Sequence, residues 1–243
     1  MPSDNAASRV AETYELLHLI FKNAQHDFGD SSLVPVAQAN RFVGSVALDV
    51  LWETQKSLLP LFRVIDHCFE IEIEERCVWN PVYGNWDDDS ADEQRVMHLK
   101  PGQHRGISAK DRERLKFYAS RIKAIIDTPV KGESVGDLHI FSEDLPNVIL
   151  ADGNSILLPN LRRLEIGPRL TSFFEHIGFR VEPDEEDPEV PYIALYRFTE
   201  HLGDLCRADS LRTLGIQIDN NLAMLPAIRA LPVLEELHLT FMK

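Results

Sequence analysis

Val10, Tyr14, Leu17, Phe21 and Ala24 recur at intervals of three and four residues and line one face of a helix. Leu16, Leu19 and Ile20 widen that face well beyond an ordinary stripe. A helix apolar nearly all round must be covered on more than one side. A module this short has too little core to cover it, so a partner or a second domain is implied. A polar stretch, residues 27–32, follows. Ser31 or Ser32 is placed to cap the next helix, with Pro35 tolerated in its first turn. Gly44 is placed to end that helix, and Ser45 to cap a third that carries Ala47-Leu48-Asp49-Val50-Leu51-Trp52.

Leu58-Leu59-Pro60-Leu61-Phe62 continues from the third helix, and Pro60 is expected to break or kink it. Phe69, Ile71 and Ile73 alternate with Glu70, Glu72 and Glu74, the period of a strand with one wet face. Residues 80–93, with Pro81, Gly84, Asn85 and an Asp run, read as a long loop, and residues 96–99 as a short strand. Residues 111–126 read as a helix with Ser108 as cap and Asp111 as a capping-box-like residue. Leu115, Tyr118, Ala119, Ile122 and Ile126 would share one face of it.

The C-terminal half repeats itself. Leu161-Arg162-Arg163-Leu164-Glu165-Ile166, Leu211-Arg212-Thr213-Leu214-Gly215-Ile216 and Leu234-Glu235-Glu236-Leu237-His238-Leu239 all fit L-x-x-L-x-L. The last two start 23 residues apart, within the leucine-rich-repeat period. The first two start 50 apart, room for two turns with one degenerate. Helices are expected over 192–206 and 222–231, ahead of the second and third motifs. Leu170 to Phe173 follow the first motif too soon for a full repeat. In a strand–helix repeat the core would be Leu161, Leu164, Ile166, Leu211, Leu214, Ile216, Leu234, Leu237 and Leu239, with the x positions on a concave, solvent-facing sheet. His238 is such a position and a possible target contact. An apolar edge bearing Leu239, Phe241 and Met242 is expected to pair with a partner or to self-associate.

Charge and chemistry narrow the function. The formal net charge of −14 is concentrated in residues 66–93, with ten acids against one arginine, and in 182–189, with six acids and no base. Phosphate contacts need clustered Lys and Arg, so nucleic acid is an unsuitable partner. No run is long and apolar enough to span a membrane. Three widely spaced cysteines, Cys68, Cys77 and Cys206, argue against a disulfide scaffold and for an intracellular compartment, cytoplasm or nucleus. The chain holds no G-x-G-x-x-G, G-x-x-x-x-G-K, H-E-x-x-H or C-x-x-C. His67-Cys68 with Cys77 is the nearest metal-like cluster, and its one-sided spacing is poor for zinc. The expectation is therefore no catalytic residue, no metal and no cofactor.

The order of the first fifty residues resembles the F-box, the helical module that docks a protein onto the Skp adaptor of a cullin–RING ubiquitin ligase. The resemblance rests on Glu15-Leu16-Leu17-His18-Leu19-Ile20-Phe21, then Leu33, Val36, Ala37, Asn40 and Arg41, then residues 47–52. Glu12-Thr13-Tyr14 stands where the family opens with Leu-Pro, and Phe42-Val43 where it carries an aromatic after the Arg. Residues 47–61, 111–126 and Leu158-Pro159-Asn160-Leu161-Arg162 are similar to the later parts of the fungal F-box/leucine-rich-repeat proteins.

That resemblance implies an α+β chain: an F-box-like helical module over 8–62, an acidic connecting segment with short strands over 63–110, and an irregular α/β leucine-rich-repeat solenoid over 111–243. It implies docking of the Skp adaptor through Leu16, Leu17, Ile20, Phe21, Leu33, Val36, Asn40 and Arg41, and recruitment of an unknown target protein by the repeat surface. The alternatives are a repeat-type interaction protein that has lost adaptor binding and a regulator or small hydrolase on an α/β fold.

Overall fold

The computed structural model describes residues 4–80, 85–100, 107–127, 139–141, 156–166, 202, 205–218, 228 and 231–241. Most of the helices expected over 192–206 and 222–231, the compressed stretch 170–173 and the acidic run 182–189 lie outside these residues. The protein is mixed α/β with a parallel sheet, and the chain divides into two units, Met1–Thr54 and Gln55–Lys243.

The first unit is helical. Helix α1 (Asp4–Phe28) ends at Gly29, whose positive φ of 79° is the left-handed conformation that glycine adopts without strain. A 3-10 turn (Asp30–Ser32) leads to a four-residue helix α2 (Val34–Ala37), with Pro35 in its first turn as expected. Helix α3 (Arg41–Glu53) starts earlier than the sequence suggests. Its cap is Asn40, whose side chain accepts from the Val43 amide at 2.9 Å, so Gly44 and Ser45 lie inside the helix rather than at a break. Gly44 answers a packing need instead: a Cβ there would stand 2.4 Å from the Ala37 carbonyl oxygen.

Phe21, Leu33, Val46, Ala47 and Val50 make the buried core of this unit, with Tyr14, Leu17, Ala24, Val36 and Val43 packed against it. The 14-17-21-24 face of α1 is therefore the inward one. Polar contacts bind α1 to α3: the Tyr14 hydroxyl donates to Asp49 at 2.8 Å, and Lys22 pairs with Glu53 at 2.8 Å.

The second unit has two sheets. Strand β1 (Thr54–Gln55) at the boundary is followed by helix α4 (Leu59–Arg63). Pro60 sits in the first turn of α4, where its missing N–H costs nothing; it begins a new helix rather than kinking the third. A 3-10 turn (Asp66–Cys68) enters β2 (Phe69–Asn80), which pairs antiparallel with β3 (Asn85–Leu99). The acidic segment expected to be a loop is thus largely strand. Phe69 is buried, but Ile71 and Ile73 are exposed, so over residues 69–73 the dry face of β2 ends after Phe69.

Helix α5 (Ala109–Ala119) is capped by Ser108, which accepts from the Asp111 amide, as the sequence predicts. It ends seven residues before the predicted stop: Ile122 is in the connection and Ile126 in strand β4 (Ala124–Ile126). The longer helix was read from a three-and-four spacing that here spans a helix, a turn and a strand.

Strand β5 (His139–Phe141) pairs parallel to β3 in the smaller sheet. The three L-x-x-L-x-L motifs become β6 (Arg163–Ile166), β7 (Thr213–Ile218) and β8 (Glu236–Phe241). The larger sheet has the order β1-β4-β6-β7-β8, and β4, β6, β7 and β8 are mutually parallel. Ile125, Leu164, Leu214 and Leu237 fall in one row across it. The backbone entry repeats from strand to strand: Arg162 N–H donates to Lys123 O, Arg212 N–H to Arg162 O and Glu235 N–H to Arg212 O, at 2.7–2.8 Å.

Two expectations change. First, β6 bonds directly to β7, Arg163 opposite Thr213 through Ile166 opposite Ile216, so no strand of a degenerate repeat stands between them. Second, the core is uneven. Leu161, Leu164, Leu211, Leu214 and Ile216 are buried, Ile166, Leu234 and Leu239 are half-buried, and Leu237 is exposed at 38%. Leu237 lies on the last strand of the sheet order, so among the described residues it has a strand neighbour on one side only, whereas Leu214 has one on each.

Cys68 and Cys206 are free and buried. Cys206 bridges to Leu158 beside the sheet, and burial pushes its thiol up from its ordinary 9.0 to about 12. A raised folded pKa stabilises the fold fully below pH 9.0, and that contribution is lost as the pH climbs toward 12. Iodoacetamide should therefore spare Cys206 in the native chain at neutral pH and modify it after denaturation, as read by peptide mass spectrometry. Prompt native labelling would contradict this burial.

Candidate functional site

Helix α1 carries two apolar faces of different fate. The inward residues fill the core of the first unit. Leu16, Leu19 and Ile20, spaced i, i+3 and i+4, remain exposed at 59%, 58% and 48%. These three large aliphatic side chains lie together on one helical patch rather than scattered singly. Val34 and Phe42 are also exposed in this unit.

The residues assigned to adaptor docking separate accordingly. Leu16 and Ile20 are available on the surface, and Arg41 is exposed. Asn40 is exposed but engaged as the cap of α3. Leu17 and Val36 are partly buried against the core. Phe21 and Leu33 are buried at 8% and 1% in the core that holds the helices of this unit together. Leu19, absent from that set, belongs to the exposed patch. It was legible in the sequence as the residue that widens the face beyond one stripe.

The second unit presents the x positions of its motifs as a charged strip. Arg162, Arg163, Arg212, Glu235, Glu236 and His238 are exposed. Arg212 pairs with Glu235, Arg163 with Glu165, and Thr213 Oγ1 donates to Glu236 at 3.2 Å. His238 Nε2 lies 3.6 Å from a Glu236 carboxylate oxygen. Basic side chains lead on β6, and acidic ones with His238 on β8, so the strip has a charge direction across the strands.

A third group was only half visible in the sequence. His67 and Cys68 end the 3-10 turn, and Asp111 enters from the first turn of α5. His67 Nε2 is 3.3 Å from Asp111 Oδ2 and 3.5 Å from Cys68 Sγ, and Cys68 Sγ is 4.0 Å from Asp111 Oδ2. The Ser108 hydroxyl donates to the same Asp111 oxygen at 2.6 Å. That hydrogen bond, with His67 beside it, holds the Asp111 carboxyl below the usual carboxylate range. Burial first, and the Asp111 charge second, push the Cys68 thiol up, against the opposing pull of Lys100. No sequence spacing could have found Asp111, because 44 residues separate it from His67.

Among the described residues no helix is long and apolar enough to cross a membrane. No family model, no curated protein and no solved structure matches the chain.

Proposed function

We propose that this chain is a substrate-recruiting F-box subunit of a cullin–RING ubiquitin ligase, docking the Skp adaptor through α1 and a target protein through the exposed positions of its irregular leucine-rich repeats. The observation that carries the reading is the patch Leu16, Leu19 and Ile20, left exposed on a helix whose other face already closes its own three-helix core. A helical module with one apolar face spent inward and another facing out suits a docking role. The parallel strands β6, β7 and β8, with charged x positions facing out, suit target binding. Such a protein needs no catalytic residue: it acts by raising the target's effective concentration beside the charged conjugating enzyme.

The test is binding of purified Skp adaptor to the chain and to the Leu16→Asp, Ile20→Asp double variant. Both positions are exposed, so the variant should keep its far-ultraviolet circular dichroism. Leu17 is unsuitable for this purpose because it packs on the core. Losing two leucine-sized contacts removes about 3 kcal/mol or more, a drop on the order of 100-fold in affinity. Equal binding by the folded variant would refute docking through α1.

The second reading is a repeat-type interaction protein without adaptor docking. Burial of Phe21 and Leu33 favours it, since two of the expected anchors are withdrawn from the surface. So does Glu12-Thr13-Tyr14 in place of Leu-Pro. Under that reading the unmodified chain does not bind the adaptor at all.

A further inference from the structure

We propose that His67, Cys68 and Asp111 form a binding site for a single zinc-class divalent cation, held by one imidazole nitrogen, one thiolate and one carboxylate oxygen. The three donor atoms lie within 4.8 Å of one another. Their individual separations carry the argument further. Tetrahedral zinc with bonds of about 2.3 Å to sulfur and about 2.0 Å to nitrogen and oxygen sets S···N and S···O near 3.5 Å and N···O near 3.3 Å. The observed S···N is 3.5 Å and N···O is 3.3 Å. Only S···O, at 4.0 Å, has to close, by about 0.5 Å, for all three to ligate at once.

The supports are built as a metal site needs them. Cys68 is fixed by its own backbone: its N–H donates to Ile65 O at 2.9 Å, and its carbonyl accepts from Lys100 N–H at 3.0 Å. Cys68 is itself fully buried. Asp111 is oriented by the Ser108 hydroxyl on the oxygen that would ligate, the kind of outer hydrogen bond that fixes a ligand's angle. The His67 side chain is 57% exposed, which leaves an entry path and an open fourth position for water or a further ligand.

The donor set selects the class of ion. A thiolate beside an imidazole suits zinc and discriminates against calcium and magnesium, which take all-oxygen cages. Binding exchanges the thiol proton for the metal: Cys68 loses H⁺ to solvent, the sulfur–metal bond forms, and no oxidant or reductant is required. The ion would clip the 3-10 turn ahead of β2 to the first turn of α5, beside the packing of α4 on α5.

The test titrates the full chain with cobalt(II) as a spectroscopic stand-in for zinc and follows the thiolate-to-cobalt charge-transfer band, with zinc affinity measured by competition. One equivalent should saturate the band. His67→Ala, Cys68→Ser and Asp111→Asn should each weaken zinc binding by at least about 10–100-fold, the range already seen when only a ligand's orienting partner is lost. Cys77→Ser and Cys206→Ser should leave the band in place. His67 is exposed, so its variant keeps the fold and the test stays decisive even where Cys68→Ser perturbs packing. The proposal is overturned by absence of the band in the unmodified chain, by its survival in Cys68→Ser, or by its loss in Cys77→Ser or Cys206→Ser while Cys68→Ser retains it.

Discussion

Leu214→Ala should lower the unfolding free energy of the second unit by about 2–5 kcal/mol, the cost of truncating a buried leucine and leaving a cavity. Leu214 is fully buried on β7, with Leu164 opposite it on β6 and Leu237 on β8. Both neighbours are held by backbone ladders, so neither strand can collapse into the space without breaking its register. Leu237→Ala is the matched control. It removes the same atoms from a side chain already 38% exposed, and its cost should be clearly smaller. Urea denaturation, with hydrogen exchange at the β7 amides to isolate this unit, reads both. Equal losses for the two variants would mean that the row is not packed around Leu214.

Gly44→Ala should destabilise the first unit, although alanine is the better helix former by about 1 kcal/mol. The added methyl would approach the Ala37 carbonyl oxygen to 2.4 Å and its carbon to 3.2 Å. Both are backbone atoms, so no side chain can swing aside. Ala37 cannot yield freely either: its N–H is bonded to Leu33 O at 2.8 Å, and Leu33 is buried in the core. Overpacking of this kind costs about 1–3 kcal/mol, which outweighs the propensity gain. The expected result is a lower melting temperature of the helical unit by circular dichroism. A rise would show that α2 and α3 separate at little cost. Gly215 is tight in its own way: a Cβ there would stand 2.8 Å from Glu165 Cγ and 3.3 Å from Glu165 Cβ, close to the backbone of the neighbouring strand.

These two residues show what was legible in the sequence and what was not. Leu214 could be read because its environment follows from a local pattern: L-x-x-L-x-L states which side chains face inward, and three copies state that the strands stack. Gly44 reads locally as a helix stop because glycine so often ends one; the reason it is glycine is Ala37 on another helix, which no local pattern encodes. Asn40 is the cap of α3, while the Ser45 beside Gly44 offers the same local capping signal inside the helix.

The inward face of α1 was legible as a period. Its division into core and surface was not, because apolar residues on both faces look alike until α3 covers one of them. Residues 85–93, the first part of β3, were hidden for a different reason. These acidic and Asp-rich residues have poor strand propensity, and the pairing is made by backbone groups, which carry no sequence signature. His67 and Cys68 were visible as donors, but their third member, Asp111, appeared only as a helix-cap residue.

The unequal spacing of the motifs has a simple thermodynamic scale. Ser210 meets Leu161 across 49 residues of chain, while Arg212 meets Glu235 across 23. Loop-closure entropy grows only logarithmically, so a doubling of the intervening chain costs about 0.6 kcal/mol. One buried leucine in the row outweighs that difference several times. Register in this sheet is thus held by its ladders and its leucines, not by a uniform repeat length. The extra chain between β6 and β7 therefore costs little beside what one buried leucine of the row contributes.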